Sequence, residues 1–263
     1  MSEKIIIYPP ETPEQRLFWE VFFLFLMIIV IGIFGRLSAE NVFFTILITI
    51  LFLINLTLRF ILINEKGDWI FYVLGVLGGG GNDLMSMIND VYNYNSKVII
   101  PILDGLMPLW MILFWGQVFL LFRKIFNISW FKGEEFNKNG RFLNGWVDNK
   151  LIFDILLIII LRAIIYQTYK LDFWIPALFY SIGVFLRFII FPPKKNEIFI
   201  ICILPYAFIF EGLMVTFGLY EYYNPVFLGM PLWLFIWWIF LVPIFLKEIF
   251  DRIEFFLKSK IKK

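Results

Sequence analysis

Residues 107–115 read MPLWMILFW, and residues 230–238 read MPLWLFIWW. Each copy follows a segment rich in tyrosine and asparagine, at residues 92–95 and 220–224. A chain that carries the same apolar segment twice, after the same kind of polar segment, is expected to repeat a whole structural unit. The two copies therefore predict an internal duplication.

Shorter matches extend this duplication through both halves of the chain. They occur in the same order in each half: LFWE at 17–20 with LIFD at 151–154, LRFI at 58–61 with LRFI at 186–189, and NDLM at 82–85 with EGLM at 211–214. Several matches in register are harder to explain by chance than one. We therefore expect two repeats, residues 1–122 and 151–263, joined by a basic cytoplasmic linker at 123–150.

The composition indicates a polytopic membrane protein. Hydrophobic residues make up 61% of the 263 residues and the mean hydropathy is +0.83, whereas soluble domains are about half apolar. A bilayer-spanning helix needs about 20 apolar residues. Eight such runs occur, at 17–35, 42–63, 69–88, 98–122, 151–166, 173–191, 198–219 and 226–250.

The basic residues predict the orientation of these spans. Most of the 23 Lys and Arg residues fall in the termini and in the loops after the second, fourth and sixth spans. Cytoplasmic loops are enriched in Lys and Arg, so both termini are expected in the cytoplasm. Four spans per repeat give both copies the same orientation, and we predict an all-α fold of two parallel four-helix repeats in the plasma membrane of a prokaryote.

Composition also excludes several classes of site. The chain has no histidine and one cysteine, Cys202, which excludes histidine-based triads and the usual zinc and di-iron sites. A net charge of +2 does not suggest nucleic-acid binding. A retinal Schiff base needs a mid-membrane lysine, and no span has one, since Lys247 lies at the end of the last span. We expect no metal and no cofactor.

Charged residues inside a bilayer are costly unless they are paired or wet, so they mark important positions. Glu20 and Arg59 are expected near the cytoplasmic boundary of the first repeat, and Asp154 and Arg187 occupy the same positions in the second. The simplest interpretation is one structural ion pair in each repeat, Glu20 with Arg59 and Asp154 with Arg187.

A second group of polar residues is expected deeper in the membrane. Glu211 and Asp104 are the candidate acids, Asn82 and Asp83 lie at the depth of Glu211 in the other repeat, and Arg162 is placed to reach either acid. Glycines 78–81 and Pro205 are expected to interrupt the third and seventh spans near this level, as happens at transporter sites. Close helix packing is the alternative reading.

Aromatic residues and prolines complete the candidate site. Trp110 and Trp233 are candidates to line a groove for a flat polyene, and Tyr220 and Tyr222 to contact substrate, although aromatic residues also form the ordinary interfacial belt. The fourth and eighth spans are expected to bend or break register at their prolines. These are Pro101, Pro108, Pro231 and Pro243.

Residues 211–238 combine a glutamate, spaced glycines, a Tyr-x-Tyr pair, a proline and tryptophans. In this pattern the segment resembles the membrane-embedded carotenoid biosynthesis proteins of the bisanhydrobacterioruberin hydratase type. Glu211, Gly218, Tyr220, Tyr222 and Pro231 occupy the matching places, with Gly229 and Trp237 or Trp238. Gly212 directly after the glutamate, and Glu221 between the tyrosines, depart from the family pattern.

The resemblance implies an enzyme of the lyase class that acts on an isoprenoid or carotenoid-like lipid. Hydration of an alkene requires protonation to a carbocation, which suits a buried Glu211 or Asp104 and aromatic faces that stabilise the cation. The alternative is a small-solute or lipid transporter or channel with a polar site at the midplane, because repeats with broken helices also build carriers.

Overall fold

The computed structural model describes residues 12–97, 107–133, 142–203 and 206–261, with Pro10, Phe136 and Gly140. The chain divides into two compact units: unit 1 is Met1–Met85 with Asn95–Ile128, and unit 2 is Ser86–Tyr94 with Ser129–Lys263. Regular secondary structure in the described part is helical. The segment after Ser129, expected as part of a linker, groups with unit 2.

Unit 1 is built from four helices, α1 (Pro13–Glu40), α2 (Val42–Leu62), α3 (Asp68–Ile88, whose last turn groups with unit 2) and α4 (Leu109–Phe126). Thr12 begins α1 with a capping box, in which its side chain and that of Gln15 satisfy each other's backbone N–H groups. Asn41 alone separates α1 from α2 and caps α2 through the backbone N–H of Phe43. The Asn41 cap explains where α1 ends and α2 begins.

Unit 2 contains α5 (Asn149–Thr168), α6 (Trp174–Ile190), α7 (Lys195–Ile203), α8 (Tyr206–Thr216), α9 (Leu232–Ile236) and α10 (Val242–Ile261). A π-helical turn, Trp237–Leu241, joins α9 to α10, with the Val242 N–H donating to the Trp237 carbonyl. Asp148 caps α5 by accepting from the Leu151 N–H.

Among the described residues, five helices are long and apolar enough to cross a membrane, which by length and composition indicates a membrane protein: Pro13–Glu40, Val42–Leu62, Leu109–Phe126, Asn149–Thr168 and Leu232–Ser259. The other three expected spans are less regular. Helix α3 carries five glycines and the polar residues Asn82 and Asp83, α6 has 17 residues, and the seventh expected span is described as α7 and α8 on either side of residues 204–205. Eight spans stay a prediction.

The glycines at 78–81 do not interrupt α3, which runs unbroken from Asp68 to Ile88. A Cβ at Gly79 would overlap the indole of Trp115, and one at Gly75 would lie 2.8 Å from the Gly116 Cα. Gly75 and Gly79 allow α4 to approach α3, so the expected break was wrong, and close packing is the physical reason for these two glycines.

Two of the prolines differ from expectation. Pro108 and Pro231 precede the first residues of α4 and α9 as N-cap residues with extended backbone, so they begin helices instead of bending them. Pro243 lies in the first turn of α10, directly after the π turn. The eighth span therefore begins at Leu232 and not at 226.

Candidate functional site

Unit 1 contains a buried ionic cluster around Arg59. The Arg59 guanidinium donates to Glu20 through Nη2 at 2.6 Å and through Nε at 3.1 Å. Its Nη1 lies 2.6 Å from Asp68 Oδ2, a charge contact without hydrogen-bond geometry. All three side chains are 0% exposed. The ion pair between Glu20 and Arg59 is therefore present as predicted, with Asp68 as an additional acid.

Two further cations complete this cluster. Arg123 and Lys124 were expected in the linker, but α4 continues to Phe126 and both are buried in its last turn. Both pair with Asp68, Lys124 at 3.0 Å, and Lys124 also pairs with Glu65. Helix α4 therefore continues four residues beyond the expected end of the first repeat. Asp68 and Glu65 supply the counter-charges that allow Arg123 and Lys124 to be buried there.

Unit 2 repeats this arrangement with different side chains. Asp154 pairs with the Arg187 Nε, as predicted, and Glu197 Oε1 lies 3.8 Å from the Arg187 Nη2. The local geometry also recurs. The Lys194 N–H donates to Glu197 at 2.7 Å, and the Glu65 N–H donates to Asp68 at 2.9 Å, in each case to an acid three residues ahead in the first turn of a helix.

Four buried tyrosines form a cluster within unit 2, namely Tyr92, Tyr94, Tyr220 and Tyr222. The rings of Tyr92 and Tyr94 both lie 5.1 Å from that of Tyr220, and Tyr222 lies 5.1 Å from Tyr92. Tyr94 and Tyr220 also form an antiparallel bridge through their backbones. These side chains pack against one another in the interior, so they are more than members of an interfacial belt.

Glu211 lies at the edge of this cluster. The Tyr222 hydroxyl donates to Glu211 Oε1, and the Tyr222 ring lies 6.4 Å from that of Trp233. Burial, and after it the charge of Glu211, raises the pKa of Tyr222 well above its ordinary value. The phenol therefore stays protonated and serves as a hydrogen-bond donor to the carboxylate.

Arg162 occupies a second position in unit 2. Its Nη2 donates to the Ser86 hydroxyl, and its guanidinium lies over the rings of Tyr166, at 5.0 Å, and Trp237, at 5.7 Å. Only 8% of the residue is exposed. Arg162 was expected to reach Glu211 or Asp104; no carboxylate of a described residue lies within ion-pair distance of it, and Asp104 lies outside the described residues.

Tyr180 connects the aromatic side chains around this arginine. It is fully buried, with its ring 5.6 Å from Trp233 and 6.0 Å from Trp237. Its hydroxyl donates to the Leu161 carbonyl at 3.3 Å and lies near Arg162. One wall of aromatic rings thus runs from Tyr222 through Trp233 and Tyr180 to Trp237.

The remaining predicted residues lie elsewhere. Asn82, Asp83 and Trp110 belong to unit 1, where Asp83 accepts a 2.6 Å hydrogen bond from the Trp115 indole and Trp110 is fully buried. Asp104, Pro101 and Pro205 lie outside the described residues.

Sequence reasoning missed several members of these clusters. Asp68 and Glu197 were not selected because each lies among the charged residues of a loop, although the expected duplication would place them at corresponding positions. Tyr166 and Tyr180 are single polar residues in apolar helices and carried no distinguishing pattern.

No family model, curated protein or solved structure matches the chain. The resemblance of residues 211–238 to carotenoid biosynthesis proteins therefore stays a prediction from the sequence.

Proposed function

We propose that the chain crosses the plasma membrane of a prokaryote eight times, as two parallel four-helix repeats with both termini in the cytoplasm. The ionic clusters support the repeat. Each has an acid early in a first helix, an arginine at the end of a second and an acid in the first turn of a third. The antiparallel pairing of Tyr94 with Tyr220 is also what two copies of one Tyr-x-Tyr segment would form about a two-fold axis.

The function we propose is an intramembrane site in unit 2 for an isoprenoid or carotenoid-like lipid. The observation that carries it is the hydrogen bond from Tyr222 to Glu211 beside the wall of rings that includes Trp233 and Tyr180. An acid next to stacked aromatic faces is suited to a flat apolar ligand that becomes cationic during reaction.

The reaction proposed is acid-catalysed hydration of an alkene. The carboxylic acid of Glu211 transfers its proton to one alkene carbon, and the other carbon becomes a tertiary carbocation. Water adds to the cation and returns a proton to the Glu211 carboxylate, so the acid is regenerated and the product is a tertiary alcohol. Tyr222 holds the carboxylate in place, and the Trp233 face stabilises the cation.

Membranes containing the chain, supplied with lycopene in ¹⁸O-labelled water, test this proposal. Mass spectrometry of the extracted carotenoids should show a labelled hydroxyl group, and Glu211→Gln should abolish it. Glu221→Gln is the matched control, since Glu221 is an exposed glutamate ten residues further along. Equal product from Glu211→Gln and the unaltered chain would remove Glu211 from the mechanism.

Transport of a small solute or lipid is the second candidate, and the buried guanidinium of Arg162 favours it. A cation without an acidic partner among the described residues is suited to hold a passing anion. Uptake of radiolabelled phosphate into vesicles reconstituted with the chain measures this directly. Uptake that Arg162→Gln eliminates would favour transport, and uptake equal to that of empty vesicles would exclude it for phosphate.

A further inference from the structure

Arg162 differs from the other deeply buried arginines in its surroundings. Arg59 and Arg187 each contact two carboxylates, whereas the neighbours of Arg162 are the Ser86 hydroxyl, two aromatic faces and the nearby phenols of Tyr180 and Tyr166. Its Nε has no hydrogen-bond partner among the described residues. The guanidinium of Arg162 is thus over 90% buried, and no carboxylate of a described residue neutralises it.

Such a charge is unfavourable without a counter-ion. Removing a cation from water costs several kcal/mol, and cation–π contacts with Tyr166 and Trp237 return about 1–2 kcal/mol each at most. Neutral hydroxyl groups orient their dipoles but do not cancel the charge. The surroundings of Arg162 are therefore complementary to an anion that none of the described residues supplies.

The hydrogen-bond donors at and around Arg162 indicate which kind of anion would bind there. Arginine presents parallel N–H groups that match the oxygens of a phosphate or carboxylate, and phenolic hydroxyls donate to the same oxygens. We propose that Arg162 binds the oxyanion, phosphate or carboxylate, at the polar end of an isoprenoid lipid. This inference rests on the proposed isoprenoid site and narrows its ligands to isoprenoids with an anionic end; a hydrocarbon such as lycopene would contact only the aromatic rings.

The aromatic wall indicates why the oxyanion is carried by a lipid. Tyr180 and Trp233 connect the region of Arg162 with Tyr222 and Glu211 through ring contacts of 5.6 and 6.4 Å. A ligand held by its charged end at Arg162 would extend its hydrocarbon along these rings toward the candidate acid. A free phosphate ion would contact Arg162 but not the row of aromatic rings.

Binding of three probes to the purified full-length chain in nanodiscs tests the inference, with quenching of tryptophan fluorescence as the readout. Farnesyl phosphate carries both the hydrocarbon and the oxyanion, farnesol carries only the hydrocarbon, and inorganic phosphate only the oxyanion. We expect farnesyl phosphate to bind about tenfold or more tightly than farnesol, the range of a charge-assisted hydrogen bond.

Substitutions at Arg162 separate charge from folding. Arg162→Gln should remove the preference for farnesyl phosphate while farnesol still binds, which shows that the apolar part is folded. Arg162→Lys should keep part of the preference because the charge is retained. Arg36→Gln, at an exposed arginine of α1, should leave both affinities unchanged.

Each other outcome has a distinct meaning. Equal binding of farnesol and farnesyl phosphate by the unaltered chain overturns the inference and leaves the isoprenoid site standing. Arg162-dependent binding of inorganic phosphate alone supports oxyanion recognition but contradicts the lipid source. Absence of binding by all three probes overturns both the inference and the proposed isoprenoid site.

Discussion

Replacing Arg59 with leucine should destabilise the protein strongly, because it leaves a buried acid without its cation. Arg59 is the one cation that the described structure places within ion-pair distance of Glu20, and both side chains are fully buried. Asp68, by contrast, keeps Arg123 and Lys124. The stranded charge is therefore that of Glu20, and removing one partner of a buried pair costs about 3–5 kcal/mol.

A double-mutant cycle separates this charge effect from lost packing. Glu20→Leu combined with Arg59→Leu replaces both buried charges with apolar groups, an exchange that is often close to neutral. We expect the double variant to recover most of the stability that Arg59→Leu loses. The two substitutions should thus be strongly non-additive, as expected for side chains in contact.

The assay is reversible unfolding of the purified protein by SDS in mixed micelles, followed by tryptophan fluorescence. Arg36→Leu is the matched control, since it removes an arginine from an exposed position of α1 and should change the free energy of unfolding by less than about 0.5 kcal/mol. The reasoning fails if Arg59→Leu costs no more than Arg36→Leu, or if adding Glu20→Leu lowers the stability further.

Gly79→Ala should destabilise by about 1–3 kcal/mol because the new Cβ overlaps an indole ring, whereas Gly81→Ala, which meets open space, should be neutral or stabilising in the same unfolding assay. Tyr222→Phe should cost about 1.5–3 kcal/mol through the lost bond to a carboxylate, and Tyr223→Phe, at a more exposed ring, much less. Since the folded-state pKa of Tyr222 is raised, its contribution to stability should be complete below a pH of about 10 and be lost as the pH rises through the folded-state value, which unfolding at alkaline pH measures. In a Cys202→Ser background, single cysteines at Lys132 and Lys170 should react with an impermeant maleimide from opposite sides of the membrane; labelling from the same side would contradict the eight-span topology.

The ion pairs could be predicted because the depth of a residue in a membrane-spanning helix follows from its distance along the sequence from the end of that helix. Glu20 and Arg59 lie near facing ends of adjacent spans, and Asp154 and Arg187 do the same, so pairing followed from the cost of an isolated charge. Asp68 was not predicted, since a charge at a span boundary is expected to be solvated. Only the structure shows that α4 extends far enough for Arg123 and Lys124 to pair with Asp68 at that boundary.

Local signals were less informative where two physical explanations compete. Four successive glycines can break a helix or allow a neighbouring helix to pack closely. At Gly79 the structure shows close packing, because the Trp115 indole occupies the space that a Cβ would fill. Proline likewise bends a helix when internal and begins one when terminal, and the helix start after Pro108 could not be read from an apolar run. Tyr166 lies four residues after Arg162 on the same helix, but Ser86, Tyr180 and Trp237 come from distant segments, so no spacing along the chain revealed them.

The wide turn at Trp237–Leu241 has a consequence for how the two similar halves can diverge. Helix α4 passes through the matching stretch as regular α-helix, whereas the π turn holds an extra residue and so rotates everything after it by about 100°. In α4, Lys124 contacts Asp68; in α10, Glu248 and Arg252 contact the charges of unit 2. On the proposed duplication, the two copies would in this way present different surfaces, and substitutions tolerated in one half would be poor guides to the other.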